Sequence, residues 1–213
     1  MPAKTSKPLV ILIHGIAAHR SMFLYLGWCL WRKGFRIRTW GYRSAFSTIP
    51  RHGKDFRDFL DHVDADPSVS EFHIVAHSMG GIVTRQALLY FRPKKLKRFV
   101  MLSTPNRGSK VARKLSRSIF WFSKTLRQIS DEDGSFVRQQ EFPHGVETGA
   151  IFANVDRVVT RESSQPYEGV PFYEFYSGHN DLLIRPTTAR AVESFLRTGK
   201  FPPMKKQSSS PSA

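Results

Sequence analysis

A strand that runs directly into a serine turn is the feature that most constrains this fold. Residues 72–76 are apolar apart from His73, Ser78 follows within the run Ala-His-Ser-Met-Gly-Gly, and a helical pattern begins at Gly80. Small neighbours allow a tight turn that exposes the hydroxyl to a substrate carbonyl. The usual motif is Gly-x-Ser-x-Gly, and Ala76 replaces its first glycine. The pattern predicts a nucleophile at Ser78, with an ordinary strand-to-helix turn as the alternative.

Predicted strands and helices alternate along the chain. The run Leu9–Ile13 has no polar alternation, which is typical of a strand covered on both faces. Such alternation predicts an α/β fold with a mostly parallel sheet of about six strands, helices on both faces, and a ligand crevice beyond the carboxyl ends of the strands. The strands are expected at 9–13, 35–40, 72–76, 99–102, 150–154 and 172–175, and the main helices at 21–32, 54–64, 80–91 and 187–197.

Length and composition favour one globular domain. The chain has 213 residues, of which 40% are hydrophobic and 23% charged. It contains no apolar stretch of about 18 residues and no signal-peptide pattern, so neither a membrane span nor export is expected. Cys29 is the only cysteine, which excludes an internal disulfide and makes a reducing cytoplasm the default. We expect a flexible segment at 1–8, a single domain at 9–204 and a disordered tail at 205–213.

Two later residues are candidate partners for Ser78. A serine nucleophile needs a histidine to accept its proton and a carboxylate to orient that histidine. Asp156 and His179 each follow a predicted strand, and the chain order Ser78, Asp156, His179 fits this architecture. Three alternatives stay open. Asp156 could simply begin a turn and pair with Arg157, Asp181 could be the orienting carboxylate instead, and His179 could be an ordinary surface histidine.

Four motifs together resemble the α/β-hydrolase superfamily, and specifically its small bacterial lipases and esterases. They are Ile-His-Gly-Ile, Ala-His-Ser-Met-Gly-Gly, Asp-Arg-Val-Val and Gly-His followed by Leu-Leu. The resemblance spans residues 9–201, and the alanine form of the serine motif is found in compact Bacillus-type lipases. It implies a Ser-Asp-His catalytic triad and an oxyanion hole formed by the backbone N–H groups of Ile16 and Met79. His14 is expected to brace the loop that carries Ile16.

Two features depart from these relatives. Thr160 stands where they often have proline, and the connection between the fourth and fifth strands is long enough to form an insertion at 106–149. Within it, residues 109–129 have an apolar stripe at helical spacing and no acid, with the stripe formed by Val111, Leu115, Ile119, Phe122 and Leu126 and flanked by Phe120 and Trp121. This pattern predicts a helical cap over Ser78 that contacts anionic membrane, consistent with the net charge of +16. The alternative is a helix packed on the core.

The resulting functional prediction is a serine hydrolase of carboxylic esters, with lipid-like acylglycerols as the substrate class. The acyl group would be carried on Ser78, with no metal or organic cofactor. An acyltransferase or thioesterase with the same triad is one alternative, and a non-catalytic membrane- or nucleic-acid-binding protein is another. No nucleic-acid-binding module is recognisable, so no specific nucleic acid is expected. We expect a cytoplasmic monomer that associates peripherally with membrane through 109–129.

Overall fold

Six strands form one parallel sheet in the computed structural model, which describes residues 7–118, 121, 123–166 and 168–203. The sheet order is β2-β1-β3-β4-β5-β6, and each neighbouring pair is parallel. The predicted α/β fold with a mostly parallel sheet of about six strands is therefore confirmed. The strands are β1 (Leu9–Ile13), β2 (Arg36–Trp40), β3 (Phe72–His77), β4 (Leu96–Leu102), β5 (Glu147–Ala153) and β6 (Phe172–Phe175).

Strands β4 and β5 both begin three residues before their predicted starts. Charged residues obscured these ends in the sequence. Arg98 pairs with Glu147 across the two strands, and its Nε lies 2.6 Å from a carboxylate oxygen of Glu147. An opposite-charge pair across neighbouring strands stabilises their register.

The described residues contain eight α-helices, of which seven lie between strands and the last follows β6. They are α1 (Leu24–Arg32), α2 (Ile49–Ala65), α3 (Met79–Leu88), α4 (Lys110–Arg117), α5 (Lys124–Gln128), α6 (Phe136–Gln139), α7 (Arg161–Ser164) and α8 (Pro186–Thr198). Helix α2 begins five residues before its predicted start, because Thr48 caps it by accepting from the Arg51 N–H and a proline occupies its first turn. Among the described residues, none of these helices has the length and apolar character needed to span a membrane.

The core has two layers, one on each face of the sheet. Helices α1 and α8 pack on one face through residues such as Leu26, Leu30 and Phe195. Helices α2 and α3 pack on the other through residues such as Phe56 and Ile82. Strand β1 sends alternate side chains into the two layers, which explains its unbroken apolar sequence.

The prediction of a single amphipathic helix over 109–129 is wrong. Helices α4 and α5 are separate, because the backbone leaves the helical region at Ser118, with φ −110° and ψ −122°. Serine hydroxyls compete with the helical backbone here: Ser118 Oγ donates to the Leu115 carbonyl at 3.3 Å, and Ser123 Oγ accepts from the Leu126 N–H. Three residues of the predicted apolar segment lie outside the described residues: Ile119, Phe120 and Phe122.

The connection between β4 and β5 is anchored to the layer formed by α2 and α3. Gln128 Oε1 accepts from the Ile49 N–H at 2.7 Å, at the start of α2. The buried guanidinium of Arg85 in α3 donates to the Gln140 carbonyl at 2.6 Å. Apolar side chains of the connection also enter this layer, namely Leu126, Ile129 and Val137.

The sheet reverses its winding direction at β1 and β3. Strand β2 lies on one side of β1, and β3 through β6 continue on the other. In parallel sheets of this kind, ligands bind beyond the carboxyl ends of the two strands at such a reversal. The segment that follows β1 contains Gly15 and Ile16, and the residue that follows β3 is Ser78.

Candidate active site

Ser78 lies on a strained turn between β3 and α3. Its backbone has φ 53° and ψ −128°, a conformation that residues with a side chain rarely adopt. The turn is held because the Ser78 N–H donates to the Leu102 carbonyl at 2.8 Å. Strain of this kind persists only where the surroundings enforce it, and it is typical of functional positions. The predicted strand-turn-helix at the serine is present.

Close packing around the turn explains its small residues. A Cβ on Gly15 would lie 2.8 Å from Ser78 Cβ, so the loop after β1 can approach the serine this closely only with glycine at position 15. A Cβ on Gly80 would lie 2.7 Å from the carbonyl oxygens of both Ile13 and His14. Ala76, in contrast, is accommodated because its methyl group is buried in the α2 and α3 layer.

Gly80→Ala should destabilise the protein and disrupt the serine turn. The added methyl group meets two backbone oxygens that cannot rotate away, so overpacking of about 1–3 kcal/mol outweighs the usual gain from alanine in a helix. Gly41→Ala is the matched control, because its nearest neighbour is Arg20 Cδ at 3.5 Å, the middle of a flexible side chain. Urea unfolding and ester hydrolysis measured on both variants test this. Wild-type stability of Gly80→Ala would contradict it.

His179 and Asp156 form a close pair. His179 Nδ1 lies 2.6 Å from Asp156 Oδ2, and both side chains are nearly excluded from solvent. The other carboxylate oxygen accepts from the N–H groups of Val158 and Val159, each at 2.8 Å. The structure therefore brings together the histidine and the carboxylate that the sequence predicted, and Asp156 rather than Asp181 contacts the ring.

The surroundings of Asp156 favour its charged form. Burial alone raises the pKa of this carboxyl, but the hydrogen bond from His179 and those from the two backbone N–H groups more than offset it. The pKa of Asp156 is consequently lowered from its ordinary value. An ionised Asp156 can hold the histidine with its proton on Nδ1, which leaves Nε2 able to accept a proton.

His77 supports the loop that carries His179, a contact that the sequence did not reveal. Its Nε2 lies 3.1 Å from the His179 carbonyl oxygen, and the two ring centroids are 4.7 Å apart. A carbonyl only accepts, so His77 Nε2 carries the proton and donates it. Burial and the neighbouring His179 lower the pKa of His77 to about 3, so it is neutral. Nothing in the local sequence signals this contact, which joins His77 in β3 to the loop after β6.

Acid should destabilise the fold partly through His73, a second buried histidine in β3. Burial, with nearby Arg98 and Lys97, lowers its pKa from 6.5 to about 4. Between these values the unfolded chain binds the proton and the folded chain does not, so stability falls as pH falls. His73→Leu should reduce that loss by on the order of 2 kcal/mol between pH 7 and pH 4.5, measured by urea unfolding. An unchanged pH slope in the variant would contradict this prediction.

Tyr42 braces the loop after β1 through His14. The Tyr42 hydroxyl donates to the His14 carbonyl at 2.9 Å, and the Tyr42 N–H donates to His14 Nε2 at 3.4 Å. His14 Nδ1 lies 2.9 Å from the Gly15 carbonyl, and the His14 and Tyr42 rings stack at 4.7 Å. Burial lowers the pKa of His14, which favours the neutral ring. His14 therefore has the bracing contacts expected of it.

Ser78 and His179 line a common cleft of about 520 Å³. The described residues that line it include no aspartate or glutamate, and none of them comes from residues 109–129. The cleft also includes Ile16, whereas Met79 is buried as the first residue of α3, next to Ser78. Apolar side chains form much of its wall, namely Ile16, Met22, Leu24 and Val158.

This arrangement can carry out nucleophilic chemistry on a carbonyl. It combines a hydroxyl on a strained turn, a histidine in the same cleft, and a buried carboxylate bonded to that histidine. The backbone N–H groups at the start of α3 directly follow Ser78, and a helix N-terminus favours negative charge.

Comparison with solved structures identifies the same fold in lipases and esterases. A mature lipase from Bacillus licheniformis is similar with a TM-score of 0.71 over 92% of this chain and 94% of that chain, at 14% identity. A lipase-esterase related protein from Clostridium acetobutylicum gives 0.65 over 92% and 96%, also at 14% identity. Lipase B from Aspergillus fumigatus gives 0.73 over 93% and 54%, at 17% identity.

Sequence comparison gives the family. Among curated proteins, no sequence matches this chain. A family model described as serine aminopeptidase, S33, matches residues 4–201, which is nearly the whole chain. Together with the parallel sheet and the serine turn, this match establishes that the chain belongs to the S33 serine aminopeptidase family of α/β-hydrolases.

Proposed function

We propose that the protein hydrolyses carboxylic esters through an acyl-enzyme on Ser78. The observation that carries the proposal is the pairing of His179 with the buried Asp156 in a cleft that also holds a serine on a strained turn. Similarity to lipases and esterases supports the fold that this chemistry requires.

The proton moves between Ser78 and His179 during the reaction. His179 accepts the hydroxyl proton as Ser78 Oγ attacks the acyl carbon, and it then gives that proton to the departing alcohol. In the second half, His179 accepts a proton from water, the resulting hydroxide attacks the acyl-enzyme, and the proton returns to Ser78 Oγ. Asp156 stays ionised and stabilises the imidazolium at both stages.

Backbone N–H groups of Ile16 and Met79 are proposed to bind the oxyanion. Ile16 lines the cleft on a loop braced by His14 and Tyr42, and Met79 begins helix α3 directly after the nucleophile. Because both donors belong to the backbone, their side chains can change without removing the site. Loss of one such donor typically lowers the rate by about two to three orders of magnitude.

The cleft favours esters over aminopeptide substrates. An aminopeptidase must bind the protonated α-amino group of its substrate, which calls for a carboxylate near the nucleophile. The described residues of the cleft supply none, and the carboxylate of Asp156 is already satisfied by His179 and two backbone N–H groups. Apolar walls suit an acyl chain or another lipid-like group.

Hydrolysis of p-nitrophenyl esters from acetyl to palmitoyl tests this function, with alanine p-nitroanilide as the aminopeptidase substrate. We expect ester hydrolysis with an optimum in chain length and at least tenfold lower activity on the anilide. Adding glycerol or a thioester substrate distinguishes the acyltransferase and thioesterase alternatives, which share the acyl-enzyme. Faster turnover of the anilide than of every ester would overturn the proposal.

A further inference from the structure

Helix α1 exposes an apolar stripe to solvent. Leu24, Trp28 and Trp31 lie at positions i, i+4 and i+7 and are 75%, 49% and 63% exposed, respectively. The opposite side of the helix packs into the core through Leu26 and Leu30. A surface helix ordinarily presents polar residues outward, so an apolar outer face indicates a surface that something covers.

The stripe is continuous with the catalytic cleft. It lines a surface groove of about 500 Å³, to which β2 contributes Ile37 and Thr39. His19, Ser21 and Leu24 belong to both this groove and the cleft that holds Ser78. A partner seated on the stripe would therefore lie at the mouth of the cleft.

Positive charge surrounds the stripe. Residues 1–54 contain ten lysines and arginines and no aspartate or glutamate, which accounts for much of the net charge of +16. Arg20 lines the apolar groove. At the other end of α1, a second depression of about 400 Å³ is lined by Trp28 and by basic residues from α1, α8 and the turn after α1, namely Arg32, Lys33 and Arg190. The acid of that depression, Glu193, is paired with Lys33 and Arg197.

Tryptophan beside arginine is typical of a surface that meets lipid headgroups. The Arg32 guanidinium lies 5.0 Å from the centre of a Trp28 ring. Tryptophan is favoured at the boundary between water and hydrocarbon, and basic residues near the surface are attracted to an anionic membrane. A second copy of this chain fits less well, because it would bring two such basic clusters together.

We propose that the α1 face, defined by Leu24, Trp28, Trp31, Arg20, Arg32, Lys33 and Arg190, docks on anionic phospholipid membranes. Docking in this orientation places the mouth of the cleft against the bilayer, so that a lipid ester can reach Ser78 without crossing bulk water. The biological purpose of this docking rests on the proposed ester hydrolysis, whereas membrane binding itself can be measured without it. It differs from the sequence prediction, which assigned membrane contact to residues 109–129.

Vesicle sedimentation of the full chain tests the docking. We expect partitioning onto phosphatidylcholine vesicles that contain phosphatidylglycerol, with weaker binding to phosphatidylcholine alone and in high salt. Trp28→Ser/Trp31→Ser should lower the partition coefficient by about tenfold or more. Arg32→Gln/Lys33→Gln should reduce the dependence on phosphatidylglycerol. Tyr90→Ser is the matched control, because Tyr90 is 87% exposed just after α3, on the other face of the sheet.

A second measurement reports on the tryptophans directly. Brominated acyl chains quench tryptophan at the membrane boundary, so wild-type fluorescence should fall on brominated vesicles, and Trp28→Ser/Trp31→Ser should remove most of that fall. Leu115→Glu tests the 109–129 alternative. The proposal is overturned if Trp28→Ser/Trp31→Ser binds as wild type does, or if only Leu115→Glu weakens binding. It is also overturned if the tryptophan pair instead controls dimer formation or binding to single-stranded DNA.

Soluble ester hydrolysis separates the two proposals. Trp28 and Trp31 do not line the catalytic cleft, so their double variant should hydrolyse p-nitrophenyl butyrate within about twofold of wild type while losing vesicle binding. If wild type binds vesicles through the α1 face but hydrolyses no ester, the proposed function fails and the docking stands. If it hydrolyses the ester and ignores anionic vesicles, the docking fails alone.

Discussion

Ser78→Ala is expected to lower kcat/KM for p-nitrophenyl butyrate by about four to six orders of magnitude. The substitution removes the atom that would bond to the acyl carbon, and His179 then has no hydroxyl to deprotonate. The fold should persist, because the turn is held by the Ser78 N–H and by packing of Gly15 and Gly80 rather than by the hydroxyl. Initial rates and circular dichroism spectra measured on both proteins provide the comparison.

Thr84→Ala is a matched control for Ser78→Ala. Thr84 lies in the same helix that leaves the serine turn, and its hydroxyl donates to the Gly80 carbonyl at 2.8 Å. The substitution Thr84→Ala removes a buried hydroxyl close to the turn without removing the proposed nucleophile, so we expect a change in stability and near wild-type kcat. Similar losses of activity in both variants would mean that the serine effect is structural.

Asp156→Asn is expected to lower kcat by about four orders of magnitude. The side-chain oxygen of asparagine can still accept hydrogen bonds from the N–H groups of Val158 and Val159, so the loop should keep its shape. Its amide nitrogen would instead face His179 Nδ1, which favours the tautomer with the proton on Nε2. That tautomer cannot accept the proton of Ser78, and an uncharged side chain no longer stabilises the imidazolium.

Asp181→Asn serves as the control for the acid position. Asp181 begins a short 3₁₀ helix two residues after His179, and it was the rival candidate in the sequence. We expect it to change kcat by less than about threefold. A large loss in Asp181→Asn with little loss in Asp156→Asn would reverse the assignment of the orienting carboxylate.

The strands and the candidate catalytic residues were predictable from sequence because their signals are local. The unbroken apolar run of β1 follows from burial on both faces, and the strand before Ser78 follows the same rule. Asp156 and His179 were found because, in a parallel sheet, loops after neighbouring strands meet at one edge. The order of β5 and β6 places those two loops side by side, and backbone hydrogen bonds from Asn154 and Val155 join them.

Contacts between distant segments were not predictable in this way. The bond from His77 to the His179 carbonyl joins residues about one hundred positions apart, and neither residue's neighbours signal it. The brace from Tyr42 to His14 likewise depends on where the chain after β2 lies. The break at Ser118 had a local signal in the serines of that segment, but the apolar spacing suggested a continuous helix.

The position of an apolar face relative to the core also escaped the sequence. Helix α1 is apolar on two sides, and periodicity cannot decide which side packs inward. The fold buries Leu26 and Leu30 and leaves the two tryptophans outside. The membrane prediction was placed on residues 109–129 because of their charge pattern, although residues 1–54 are equally free of acidic residues.

Covalent trapping at Ser78 is the most direct test of the central claim. A fluorophosphonate reacts with an activated serine, and peptide mass spectrometry locates the adduct. We expect one adduct per chain, on the peptide that contains Ser78, with no labelling of Ser78→Ala and slow labelling of Asp156→Asn. Loss of ester hydrolysis should follow the extent of labelling. An enzyme that hydrolyses esters at full rate with Ser78 unlabelled, or with the adduct on another residue, would contradict the account.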